Sequence, residues 1–265
     1  MTTHKHGCDT MPATQEAAAF LAEYASWLLG CGATCIRIEK NVYRMAEAFG
    51  LKANLLILPQ HVQIAACCED DATDMRTAVS EVARCGISFD INARLSRISW
   101  KVADGIYNYE DAKGHFRRAI AAKPTGRWEV LLLTSLANAS FCRLFGGDAV
   151  AMLIVFISTM AGYRLKQLML EHKRDVRLTF LCASFFSSAI SAGGNIFGWG
   201  TTPEIALGTS VLYLIPGVPY INAVSDMMDK HYLCAFNRFM DAAILTACLS
   251  AGLCAGMLIL GLRWF

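Results

Sequence analysis

Charge is scarce in this chain. Asp, Glu, Lys and Arg make up 17% of its 265 residues, where soluble proteins carry about 25%. Hydrophobic residues reach 55%, which excludes an ordinary water-soluble domain for the chain as a whole. Nucleotide-binding signatures are missing as well. There is no G-x-G-x-x-G and no P-loop, so a dinucleotide fold is not expected. G-x-S-x-G and H-E-x-x-H are also absent, and an enzyme is not expected. A net charge of +2 with scattered basic residues gives no footprint for nucleic acid.

Eleven cysteines are present, an odd number, yet no C-x-x-C occurs. Cys142, Cys182, Cys248 and Cys254 lie in apolar segments, where a free thiol behaves as a small hydrophobe. This usage fits a reducing cytosol beside a membrane better than a disulfide framework. Cys31, Cys35 and His61 lack the paired spacing of structural zinc sites, so no metal or other cofactor is expected. Residues 1–14 are polar and are expected to be disordered, with no secretory signal.

The charges that do occur are unevenly placed. Residues 1–127 hold most of them, whereas 128–265 read as successive apolar runs. The expectation is an all-α membrane helix bundle of about five spans over 128–265, preceded by a cytoplasmic α+β domain over 15–127. In that domain, helices are expected over 15–30 and 34–49, the second carrying Ile38, Val42, Met45 and Phe49 on one stripe. Strand-like runs at 54–58 and 62–67 flank Pro59-Gln60-His61 as a hairpin, and a third strand is expected within 76–84. Helices near 92–103 and 110–121 lead to a joint at Lys123-Pro124-Thr125-Gly126.

The expected spans are 128–145, 148–163, 178–197, 203–221 and 239–262, with Gly146-Gly147 turning between the first two. Arg117, Arg118, Lys123 and Arg127 precede the first span. Arg164, Lys166, Lys173, Arg174 and Arg177 follow the second, and Lys230 and Arg238 the fourth. The opposite side holds Arg263 alone, so the positive-inside rule puts the N-terminal domain in the cytoplasm. Ala243, Ala247, Ala251 and Ala255 form a small face on the last span, suited to close helix packing. Ser184, Ser187, Ser188 and Ser191 suit either packing or a polar cavity wall.

Pro216-Gly217-Val218-Pro219 interrupts the fourth span. Proline removes an N–H and crowds the carbonyl one turn earlier. In hydrocarbon an unsatisfied carbonyl costs on the order of several kcal/mol unless protein or a wet cavity surrounds it. Asn222 and Asp226 follow one turn apart, the arrangement a solute site needs. A kink used only for packing is the plainer alternative.

Gly32-Ala33-Thr34 opening the second helix, Gly50 closing it, the strand hairpin and above all Pro216-Gly-x-Pro-x-x-Asn222-Ala-Val-x-Asp226 resemble the threonine/serine exporter family. Gly146-Gly147-Asp148, with Arg143 before it, resembles the family too. The resemblance runs from about residue 15 to the end. It implies a cytoplasmic domain followed by about five spans. It further implies that a small YjjB-like membrane subunit supplies the second group of spans that long members carry. In the two-subunit branch the cargo is succinate, exported across the bacterial inner membrane.

A secondary exporter of small carboxylates is therefore expected, the cargo being a succinate-like dicarboxylate or threonine/serine. The half-helix beyond the prolines offers free N–H groups to an anion. Candidate substrate-binding residues are Pro216, Gly217, Pro219, Asn222, Asp226, Ser187, Ser191, Arg143 and Arg238. For the two arginines, snorkelling to the interface is the competing account. Asp226 and Asp241 are the candidates for proton coupling, and Asp148 is expected to cap a helix. A non-transporting assembly subunit and a membrane-anchored hydrolase are the alternatives. An oligomer in the lipid bilayer is expected for either cargo.

Overall fold

The computed structural model describes residues 13–68, 74–122 and 125–259. The expected N-terminal disorder and the Lys123-Pro124 part of the joint lie outside these residues, except that Thr14 already begins a helix. The chain forms two compact units, Met1–Lys123 with Val218–Phe239 and Pro124–Gly217 with Met240–Phe265. The first unit is thus discontinuous in sequence, where one unbroken domain boundary near residue 127 is the expectation from charge alone.

In the first unit, α1 (Thr14–Gly30) and α2 (Cys35–Ala48) precede three strands, β1 (Leu51–Ile57), β2 (His61–Cys68) and β3 (Arg76–Glu81). The strands form an antiparallel meander in the order β1-β2-β3, with Leu55 opposite Ile64 and Ile64 opposite Ala78. Period-two alternation buries Val62, Ile64 and Ala66 on one face. Helix α1 packs on β2 and β3. Its Tyr24 is fully buried and donates its hydroxyl to the Leu95 carbonyl at 2.9 Å. Helices α3 (Phe89–Ala103) and α4 (Tyr109–Ile120) close the core, α4 through an Asn108–Asp111 capping box. Phe20, Phe116 and Tyr109 meet edge to face there.

The second unit holds α5 (Arg127–Leu144), α6 (Ala149–Glu171), α7 (Val176–Ile196) and α8 (Pro203–Thr209), followed by a 3-10 turn, Leu212–Leu214. Two further helices, α9 (Gly217–Met228) and α10 (Tyr232–Ile259), each begin in one unit and continue in the other. Close approach in the second unit depends on glycine. A methyl group on Gly252 would collide with the Leu181 carbonyl of α7, and one on Gly162 with the Ser187 and Tyr213 hydroxyls.

Among the described residues, three helices are long and apolar enough to cross a membrane: Ala149–Glu171, Val176–Gly194 and Tyr232–Ile259. Pro203–Leu214 and Gly217–Met228 qualify together as one broken span. Helix α5 is not among them, since Arg127, Glu129 and Arg143 fall within its 18 residues.

Three details differ from the sequence expectation. Of the two prolines only Pro216 interrupts the span, at Ile215-Pro216, because Pro219 sits in the first turn of α9, where an N–H has no helical partner to lose. An earlier break follows Thr209, whose hydroxyl returns to the Ile205 carbonyl at 2.7 Å while that of Ser210 returns to Leu207 at 2.8 Å. Such back-bonding weakens helix continuation. The last helix also starts seven residues before Phe239, which places Arg238 inside a helix instead of a loop.

Candidate functional site

The site is built on a turn. After α1, Gly32 adopts φ +89°, a left-handed value that favours glycine, and the Ala33 N–H returns to Leu28. The turn leaves the Gly32 and Ala33 carbonyls and the first N–H of α2 for other partners. Three side chains from α9 and α10 take them. Asn222 donates its amide to the Gly32 carbonyl at 2.8 Å. Arg238 donates Nη2 to the Ala33 carbonyl at 2.7 Å. Asp226 accepts the Cys35 N–H on Oδ1 at 2.8 Å.

Asp226 therefore caps α2 across the fold, in place of Thr34, whose side chain makes no cap bond. The positive end of the helix dipole favours a carboxylate at this point. The other oxygen, Oδ2, lies 3.3 Å from Arg238 Nε, with Asp226 fully buried and the arginine side chain 15% exposed. The pair is imperfectly closed. Asp226 Oδ2 and Arg238 Nη1 are buried without a hydrogen-bond partner among the described residues. Nearby, His231 Nε2 stands 3.4 Å from Glu39 Oε1. The Cys35 thiol is pushed upward by its hydrogen bond with the Cys234 thiol and by burial.

Asn222, Asp226 and Arg238 are thus brought together, on Gly32-Ala33-Thr34-Cys35. The remaining candidates stand elsewhere. Pro216 is buried and Gly217 starts α9. In the second unit, Ser187 Oγ donates to the Ser158 carbonyl at 3.2 Å and meets the Tyr213 hydroxyl at 2.9 Å. The Ser191 hydroxyl is buried and unpartnered among the described residues. A hollow of about 300 Å³ beside the broken span is lined by Thr134, Asn138, Phe141 and Tyr213. Arg143 donates to the Gly147 carbonyl at 3.1 Å, closing the α5–α6 turn. Asp148 caps α6 through Ala151 and also accepts from Thr201. Those contacts, the Thr201 N–H first, hold its carboxyl below the usual range. Asp241 is an exposed residue of α10 in the second unit.

Sequence reasoning singles out both ends of this cluster and misses their contact. The signal for it was the pair Asn222 and Asp226 one helical turn apart on α9, with Arg238 following on α10, in segments otherwise rich in apolar residues. Among the described residues no group of three His, Cys, Asp or Glu side chains gathers to hold a metal.

Residues 19–260 match the profile of the family described as "Putative threonine/serine exporter", ThrE. The chain belongs to this family. Two curated relatives of this exporter-family chain carry the name "Probable succinate transporter subunit YjjP". The protein of Klebsiella aerogenes is 28% identical over 241 residues, covering 90% of this chain and 92% of the relative. That of Escherichia coli K12 is 33% identical over 158 residues, 58% of this chain and 61% of the relative. No solved structure matches. With transporters as relatives and apolar helices of spanning length, this ThrE-family chain is a membrane transport protein.

Proposed function

We propose that the chain is one subunit of a secondary exporter of small carboxylates in a bacterial inner membrane, with its N-terminal domain in the cytoplasm. The cargo is a succinate-like dicarboxylate, with threonine or serine as the alternative. A small YjjB-like membrane subunit completes the transporter. The relatives' name supports both the dicarboxylate and the existence of a partner. The excess of Lys and Arg on one side supports the orientation. Five spans follow if α5 crosses despite its charges and the segments on either side of Ile215-Pro216 count as one.

The observation that carries this reading is the buried Asp226–Arg238 pair at the start of α2. Arg238 is the kind of group that recognises a carboxylate, and here an internal carboxylate occupies it. A cargo carboxylate taking Arg238 leaves Asp226 as a second buried negative charge, which is strongly disfavoured. A proton on Asp226 Oδ2 removes that charge, while Oδ1 keeps the Cys35 N–H. Proton and carboxylate therefore enter together. Asn222 and the unfilled Arg238 Nη1 supply donors in the first unit. In the second unit, Ser187 and Ser191 are further candidates for contacting the cargo, and Asp241 is the second candidate for carrying the proton.

The test is efflux of labelled succinate from proteoliposomes holding both subunits. Asn222→Ala and Asp226→Asn are expected to abolish export with membrane insertion intact. Wild-type flux in both variants misplaces the site.

A non-transporting assembly role has one observation in its favour: Asp226 caps α2, and Asn222 and Arg238 satisfy the carbonyls of the turn before it, which is a structural role. Full flux from the partner subunit alone would establish that reading.

A further inference from the structure

Away from the Asp226 cluster, the first unit holds a cavity of about 470 Å³. Arg37, Lys40 and Arg44 line it from α2, at helical spacings of three and four that place them on one face. Asn41, Ser96 and Trp100 form much of the remaining wall. Arg37 donates to Asn92 Oδ1 at 3.3 Å, and Arg44 to Ser99 Oγ at 2.8 Å. The Arg44 guanidinium lies 3.6 Å from the centre of the Trp100 ring. These neutral partners orient the arginines without neutralising them. None of the three cations has a carboxylate at ion-pair distance among the described residues, whereas Arg76, Arg84 and Arg94 of the same unit each have one. A merely solvated face does not need an arginine that is half-buried, stacked and fixed by hydroxyl and amide groups.

We propose that this cavity binds a compact polyanion of the organic-phosphate class. A phosphate dianion accepts forked pairs from arginine and a point charge from lysine. Three convergent cations exceed what a single monocarboxylate neutralises. The cavity also has room beyond a bare phosphate, within the range of small-molecule sites, and the partly exposed Trp100 gives the organic portion an aromatic wall. Placement gives the ligand leverage. Thr34 and Arg37 line the cavity on either side of Cys35, the residue whose N–H holds Asp226. Occupancy therefore bears on the start of α2, and this regulatory consequence rests on the transport reading; the binding does not.

Calorimetry on the full chain in zwitterionic detergent, with AMP, inorganic phosphate and succinate as probes, tests the site. AMP is expected to bind saturably, at one site per chain and more tightly than succinate. Lys40→Gln and Arg37→Gln, both at exposed positions, are each expected to weaken AMP by about tenfold, the loss of one charge-assisted contact, with an unchanged unfolding midpoint. No saturable binding of AMP or phosphate overturns the proposal, as does equal affinity in the variants or tighter binding of succinate. So does loss of binding to anionic-lipid vesicles in the variants when soluble phosphates are ignored, which assigns the cations to lipid headgroups. The readout is binding heat, so failure of the transport reading leaves it intact.

Discussion

Asp226 and Cys35 stand 191 positions apart in the chain, yet the carboxylate of one accepts the backbone N–H of the other at 2.8 Å. The bond joins a helix beyond the proline break to the first turn of the second helix. Arg238, 3.3 Å from the second carboxylate oxygen, makes it part of a buried ion pair.

Removing one member of that pair leaves the other charged and buried. Asp226→Ala is expected to destabilise the first unit by about 3–5 kcal/mol. Asp226→Asn keeps an acceptor for the Cys35 N–H and loses less. The double variant Asp226→Leu/Arg238→Met is expected to recover part of the loss, because neither charge remains. Thermal unfolding of the full chain in detergent measures all three. An Asp226→Ala midpoint equal to wild type would show that the pair contributes nothing.

The second unit offers a graded packing test. At Gly252 an added methyl meets the Leu181 backbone, which cannot swing aside; at Gly162 it meets the ends of the Ser187 and Tyr213 side chains. Gly252→Ala is therefore expected to cost more than Gly162→Ala, with overpacking of about 1–3 kcal/mol for the milder case. Reversal of that order in denaturation midpoints would contradict the helix contacts described here.

Alkaline pH is expected to weaken the first unit. Burial pushes the Cys31 thiol up from 9.0 to about 12, with Cys85 adding to the effect, and burial also raises the Tyr24 hydroxyl. The folded state keeps protons that the unfolded chain releases. The Cys31 contribution is therefore complete below pH 9.0 and is lost progressively as pH rises toward about 12. Unfolding compared at about pH 8 and about pH 10 should show the decline, and Cys31→Ala should lessen it. An identical slope in that variant removes Cys31 as the cause.

Periodicity made much of this architecture legible. The stripe of Ile38, Val42 and Met45 and the turn at Pro59-Gln60-His61 correspond to α2 and the β1–β2 hairpin. What periodicity does not encode is which distant segments meet. The capping of α2 by Asp226 depends on the Gly32 turn leaving the Cys35 N–H free for a distant carboxylate, a tertiary event with no local signature. Pro219 misled for a related reason: a proline breaks a helix interior but fits a first turn, and only the start at Gly217 distinguishes the two. The cavity beside Arg44 was equally hidden, because its walls come from helices some fifty positions apart.

Because Val218–Phe239 belongs to the first unit, a ribosome must release the chain through Phe239 before the module that holds α1 can finish assembling. Cys234 sits in that module's hydrophobic core, and Arg238 and Asp226 complete its turn at residues 32–35. Until they arrive, the nascent module keeps an open seam at its core and unsatisfied backbone groups at that turn.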